Sequence, residues 1–261
     1  MSNPEHITPK ALAPRIRIIF ATNNDHKVAE IQAAIGSSLE VVSLREAGID
    51  IDIPEPHDTL EANATGKSST IHRLTGGANC FSEDTGLEVA ALNGEPGVKS
   101  ARYAGEDRSF ENNIEKLLHK LAAKEAASAD GGQSLALADA AGIVQNSQPP
   151  TSSHPAQSQP AATHREARFR TVISLIWEGT EHQFEGICNG HILPAATGTG
   201  GFGYDPIFVP EGDTRSFAQM SLEEKNHYSH RRKAADQLVA FLQKATPNTS
   251  DPARINPGPS L

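Results

Sequence analysis

The sequence predicts an α/β protein: a mixed, twisted sheet with flanking helices, in two lobes around a central cleft. Three observations carry this. A β-branched run at 15–21 (RIRIIFA) passes through a polar turn into Val28, Ile31, Ile35 and Leu39, which recur at roughly helical spacing. Two further runs with strand character, ARFRTVISLIW at 167–177 and QFEGICN at 183–189, flank a short polar turn. An amphipathic stretch at 109–123 and a helix that opens at Ser229 and runs to about Lys244 supply cover for the sheet.

Composition narrows the function classes. The chain has 261 residues, 37% hydrophobic and 21% charged, with a formal charge of −9. An acidic balance argues against a general nucleic-acid binder but leaves room for a small anion in a local basic pocket. Cys80 and Cys188 sit in apolar runs without metal-ligand or disulfide spacing, so both are expected as reduced, buried thiols. No run approaches a membrane span, and the first residues lack an apolar signal core. The cytoplasm is the expected compartment.

Taken in order, the chain reads as one domain over 15–244 between flexible tails at 1–14 and 245–261. After the first strand and helix, 39–44 is a second strand and 59–74 a helix. Gly66-Lys67-Ser68 resembles the end of a phosphate-binding P-loop, but Glu61 stands where that motif needs glycine, and no strand precedes it. The segment 125–165 turns to alanine, serine, glutamine and proline with few large apolar residues, and is expected to be a disordered insertion. The glycines of 198–203 fit G-x-G-x-x-G, yet Pro206 and Pro210 bracket a strand-like IFV where a dinucleotide fold would place a helix.

Four places hold candidate chemistry. Residues 79–81 read as a short strand that turns sharply into Glu83-Asp84-Thr85-Gly86; this is either an exposed acidic turn or a site for Mg²⁺ and proton abstraction. Thr22-Asn23-Asn24-Asp25-His26-Lys27 joins strand to helix, as a plain cap with a solvated lysine or as a helix N-terminus aimed at an anion. Glu55, held between two prolines, is a metal ligand or a surface acid. Phe202, Tyr204 and Asp205 in the glycine-rich loop either meet a flat base or pack in a core. Lys225 and the helix start at Ser229-His230-Arg231 add donors suited to phosphate or a purine carbonyl, or form an exposed basic end.

FATNNDHKVAEI, FSEDTGLEVAALNGEPGVKSARYAGE, GTGGFGYDPIF and SFAQMSLEEKNHYSHRRKA, in that order, resemble the Ham1-like inosine triphosphate pyrophosphatases. The resemblance spans roughly 15–124 and 166–244. It implies hydrolysis of ITP, dITP or XTP to the monophosphate and pyrophosphate, with Mg²⁺ as cofactor and a homodimer as the assembly. It also implies roles. Thr22 to Lys27 would hold the triphosphate, with Lys67 as a further phosphate contact. Asp84 would take the proton and share the metal with Glu55, and Thr85 would touch substrate. Phe202, Gly203, Tyr204 and Asp205 would frame the base, and Lys225, His230 and Arg231 would complete the site. Two departures stand out: Glu83-Asp84-Thr85 where bacterial members commonly have Asp-Asp-Ser, and Arg232 where glycine is usual. The competing expectation is a nucleotide-binding protein without turnover.

Overall fold

Local sequence sets the strands, and their pairing sets everything else. The computed structural model describes residues 16–36, 39–138 and 165–246. Strand β1 (Ile16–Phe20) lies parallel to β2 (Leu39–Ser43), joined by helix α1 (Asp25–Ile35). Helix α2 (Leu60–Leu74), capped by the Thr59 hydroxyl, leads to β3 (Cys80–Val89), which pairs parallel with β1. From β3 the sheet turns antiparallel through β5 (Glu166–Trp177) and β6 (Thr180–Ile192) to the short β7 (Phe208–Pro210). A two-residue strand, β4 (Pro96–Gly97), pairs with β3 off the main path. The sheet order is β2-β1-β3-β5-β6-β7. Helices α3 (Phe110–Ala138), α4 (Leu222–Asn226) and α5 (His230–Ala245) complete the fold. The β5–β6 hairpin closes on Glu178 and Gly179, both at positive φ (50° and 78°), whose twist matches that of the paired strands.

Alternation along the strands separates two faces. Phe81, Ile173 and Leu175 point towards α1 and α5 and pack with Ile31, Leu238 and Leu242. Cys80, Val172 and Ile176 point the other way and meet Leu60, Ala64 and Ile71 of α2. Ser68 and Ser174, both fully buried, share a 2.7 Å hydrogen bond across that second interface, so neither hydroxyl is left unpaired. Further along the same ribbon a separate core forms from Leu87, Val89, Phe169, Cys188 and Phe208 with Leu117 and Leu121 of α3. The two cores are the two lobes, and β3, β5 and β6 run through both. Burial of each large apolar side chain contributes about 1.5–3 kcal/mol.

Two sequence expectations change. Glu83-Asp84-Thr85-Gly86 is not a turn: the strand continues for 10 residues, paired to β5 throughout. Gly86 is required for proximity, since a Cβ there would stand 2.6 Å from the Gly97 carbonyl oxygen of β4. Helix α3 runs on to Ala138, so the first part of the segment expected as a disordered insertion is helical; alanine-rich sequence favours helix even without apolar residues to bury. Residues 139–164 of that segment, the 1–14 tail and 247–261 lie outside the described residues. The P-loop look-alike sits inside α2, and the glycine-rich loop leads through a 3-10 turn into β7, as their rejection anticipated.

Gly186 of β6 lets α5 approach. A Cβ there would lie 2.0 Å from the His230 carbonyl oxygen and 2.7 Å from the Ala234 nitrogen, both backbone atoms that cannot rotate away. Gly186→Ala is expected to lower the urea-unfolding free energy by about 1–3 kcal/mol, the usual cost of overpacking; an unchanged midpoint would show that α5 is free to shift.

Candidate active site in the interlobe cleft

Glu83 and Asp84 are neighbours on β3 and therefore face opposite sides of the sheet. Glu83, on the α1/α5 side, accepts from Arg231 Nε at 2.8 Å and Nη2 at 3.1 Å, and Lys27 Nζ lies 2.8 Å away. Burial pushes its carboxyl up, but Arg231 and Lys27 outweigh burial and hold it far below the usual carboxylate range. Thr85 shares this side, where Arg231 Nη2 reaches its hydroxyl at 3.4 Å. Asp84 faces α2, accepting from Lys67 Nζ at 3.1 Å and Asn63 Nδ2 at 3.3 Å. Burial raises its pKa; Lys67 opposes that and Glu55 adds to it, leaving the carboxyl above its ordinary value. One carboxylate is thus locked as an anion, and its neighbour is the better proton acceptor.

Lys67 also donates to Glu55, whose backbone carbonyl accepts from Arg102 Nη2 at 2.9 Å. Burial raises the Glu55 pKa, but Lys67, with Lys27 and Arg102, outweighs it and leaves the acid ionised. Among the described residues no three His, Cys, Asp or Glu side chains gather as a metal site. Two hard carboxylates that converge on one ammonium at a cleft nevertheless fit Mg²⁺, which takes one or two carboxylates and fills its shell with water and phosphate.

The lobes are tied by a charge network that crosses the cleft. Lys225 Nζ donates to Glu30 Oε1 at 2.7 Å and to Asp205 Oδ2 at 2.5 Å, and Arg231 also donates to Glu30. All four side chains are buried. Glu30 was missed in the sequence, although its signal was there: it falls on the side of α1 that carries Ile31, Ala34 and Ile35. Burial raises its pKa, and Arg231 and Lys225 more than reverse this.

Caps orient the functional helices. Asn24 Oδ1 accepts the Lys27 amide at 3.1 Å and starts α1, while the Ser229 hydroxyl accepts the Arg232 amide at 3.3 Å and starts α5. The cap places His230 and Arg231 inwards rather than on an exposed basic end. His230 is 2% exposed, stacks on Phe169 at 4.7 Å, and has no hydrogen-bond partner at either ring nitrogen. Burial, then the nearby Arg231 and Lys225 charges, drives its pKa well below the usual histidine value, so the ring is neutral.

These groups line a cleft of ≈ 490 Å³. Every sequence-predicted site residue lines it except Asp25 and His26. Asp25 points to solvent and pairs with Arg45 at 3.3 Å, so a place at the triphosphate is not supported. The His26 ring turns to Phe202, with centroids 5.1 Å apart and planes 14° from parallel. Tyr204 is a core residue whose hydroxyl donates to the Ser100 carbonyl at 2.9 Å, and Asp205 receives Lys225 and the Phe202 amide. Both support the loop more than they offer groups to a ligand.

Residues 18–151 and 152–241 match the Ham1 family. The chain belongs to the Ham1 family. It is 44% identical over 226 residues to a dITP/XTP pyrophosphatase of Porphyromonas gingivalis, covering 87% of this chain and 97% of that protein. A dITP/XTP pyrophosphatase of Flavobacterium johnsoniae is 40% identical over 227 residues, with 87% and 98% covered. The Staphylococcus aureus Ham1 protein shares the fold at a TM-score of 0.66 and 34% identity, covering 88% of this chain and 100% of that one. No helix among the described residues is long and apolar enough to cross a membrane.

Two outcomes follow from burial. Removing Glu30 takes one of two acids from both Lys225 and Arg231 and leaves the buried charges unbalanced, so Glu30→Ala is expected to cost about 3–5 kcal/mol in urea unfolding, and retention of full stability would mean that Asp205 and Glu83 suffice for the two cations. His230 binds no proton when folded but does when unfolded, so its stability contribution is whole above the unfolded pKa and declines as pH falls. Between pH 6.5 and 5.5 the wild type should lose about 1 kcal/mol that His230→Leu does not lose; parallel pH profiles would show the ring protonated in the fold.

Proposed function

We propose that this chain hydrolyses non-standard purine nucleoside triphosphates, dITP, ITP or XTP, to the nucleoside monophosphate and pyrophosphate. The observation that carries this is the convergence, in one cleft, of an acid–lysine group at one end and an unpaired neutral histidine beside a buried arginine at the other. The first suits a phosphate chain and the second a purine edge. The names of the Ham1 relatives support the same substrates.

In the proposed reaction Asp84 accepts a proton from a water molecule as the water oxygen bonds to the α-phosphorus. The bond from the α-phosphorus to the oxygen bridging to the β-phosphorus breaks, and pyrophosphate leaves with that oxygen. Lys27 and Lys67 offset the negative charge of the chain. Glu55 and Asp84 are the residues that would hold Mg²⁺, which when bound supplies further neutralisation of the phosphate oxygens. Asn23 and Asn24, at the start of α1, add polar groups to the phosphate end. At the other end His230 and Arg231 offer donors to a 6-oxo group. A 6-amino group in that place leaves a buried donor unpaired, at a cost of about 1–3 kcal/mol. A homodimer in the cytoplasm is the setting proposed for this activity.

A nucleotide-binding protein without turnover would need the purine end but not a carboxyl with a raised pKa beside Glu55. Pyrophosphate release measured with dITP, XTP, ITP, GTP and ATP, with and without Mg²⁺, separates the two readings. Release from the first three, well above ATP and dependent on Mg²⁺, is expected. Asp84→Asn should lower kcat for dITP by about 10²–10⁴; a rate near the parent's would remove Asp84 from the chemistry.

A further inference from the structure

Helix α1 meets the opposite lobe at two levels, one turn apart. Glu30 reaches Lys225 in the interior. His26, four residues earlier and so on the same face of the helix, reaches Phe202 at the surface. The two rings are nearly parallel, 14° apart, with 5.1 Å between centroids. Phe110, at the start of α3, adds a third ring with its centroid 6.3 Å from that of Phe202. Phe202 is flanked by Gly201 and Gly203, both at positive φ (70° and 60°), so the backbone on either side gives its side chain no neighbour to pack against. Rings from two other segments therefore set its orientation. On the inner side the buried Lys225 Nζ and Arg231 Cζ lie 5.2 and 5.6 Å from its centroid.

We infer that His26 is a positioning residue for the nucleobase end of the site, acting through Phe202, and not a phosphate contact. Three facts support it. His26 is absent from the cleft wall that its neighbours Asn24 and Lys27 line. Its ring is engaged by an aromatic partner from the other lobe, and Phe202 lies in that wall beside the purine-facing His230 and Arg231. The contact joins the lobes at the cleft mouth, outside the Glu30 bridge. Stacked aromatic pairs add modest binding or stability beyond area burial, so the expected effect is small but selective.

The inference rests on the proposed function for its substrate, and its test is chosen to fail separately. Binding of dIMP, which carries the base, and of inorganic tripolyphosphate, which carries only the chain, is measured by calorimetry for the wild type, His26→Ala and His26→Phe. His26→Ala should weaken dIMP about three- to tenfold and leave tripolyphosphate unchanged, and His26→Phe should restore dIMP. With dITP the KM should rise by a similar factor while kcat changes less. Equal weakening of both ligands, unchanged dIMP binding in His26→Ala, or failure of His26→Phe to restore it would overturn the inference. A wild type that binds dIMP but releases no pyrophosphate would overturn the proposed function and leave the binding comparison to decide the role of His26.

Discussion

Two adjacent carboxylates buried in the middle of one strand impose the main constraint on this molecule. Strand geometry sends Glu83 and Asp84 to opposite faces, so each is bonded by a different cation. An ionised carboxylate without a partner in an interior is severely penalised. Each face must therefore bring its own cation: Arg231 and Lys27 from α5 and α1, Lys67 from α2. The positions of three helices follow from that requirement as well as from the apolar residues beneath them.

The same geometry gives the two acids different chemistry. Glu83 is held by bonds to a guanidinium and an ammonium, which keep its carboxyl far below the usual carboxylate range. Asp84 is bonded by one cation, Lys67, which it shares with Glu55; Lys27 acts on it only through space, and burial together with Glu55 outweighs both. Its raised pKa suits a proton acceptor, whereas the deeply lowered pKa of Glu83 suits a structural anion. Two like residues in sequence are thus divided by environment into a structural anion and the proton acceptor of the proposed reaction.

Closure of the lobes uses a parallel logic. Glu30 lies at the centre of a buried lattice in which Lys225 and Arg231 are each shared with a second acid, Asp205 and Glu83. Such a lattice is unforgiving of substitution, because each truncation leaves its buried charges unbalanced. His230 is the exception within it. Every neighbouring polar side chain is satisfied, while its two ring nitrogens are not. Native interiors rarely leave such groups unpaired, and the proposed function gives these nitrogens a partner in the purine edge.

Much of the fold was legible from residue order alone. The β-branched runs of β1, β5 and β6, the cap residues Thr59, Ser221 and Ser229, and the apolar stripe of α3 are local signals, and local signals survive without knowledge of partners. The four motifs identified the family for the same reason: each is a continuous stretch. What sequence could not decide was direction and company. Glu83-Asp84-Thr85-Gly86 read as a turn because glycine follows two acids, yet pairing with β5 extends it, and Gly86 is small because β4 lies against it. The resemblance implied that Asp25 and His26, with the rest of 22–27, hold the triphosphate, but helix rotation turns one to solvent and the other to Phe202. Glu30 went unmarked in the sequence because its partners lie 195 and 201 positions away. Adjacency in sequence specifies spacing along an element; only packing specifies which side of that element is inside, and with which charges it must share the interior.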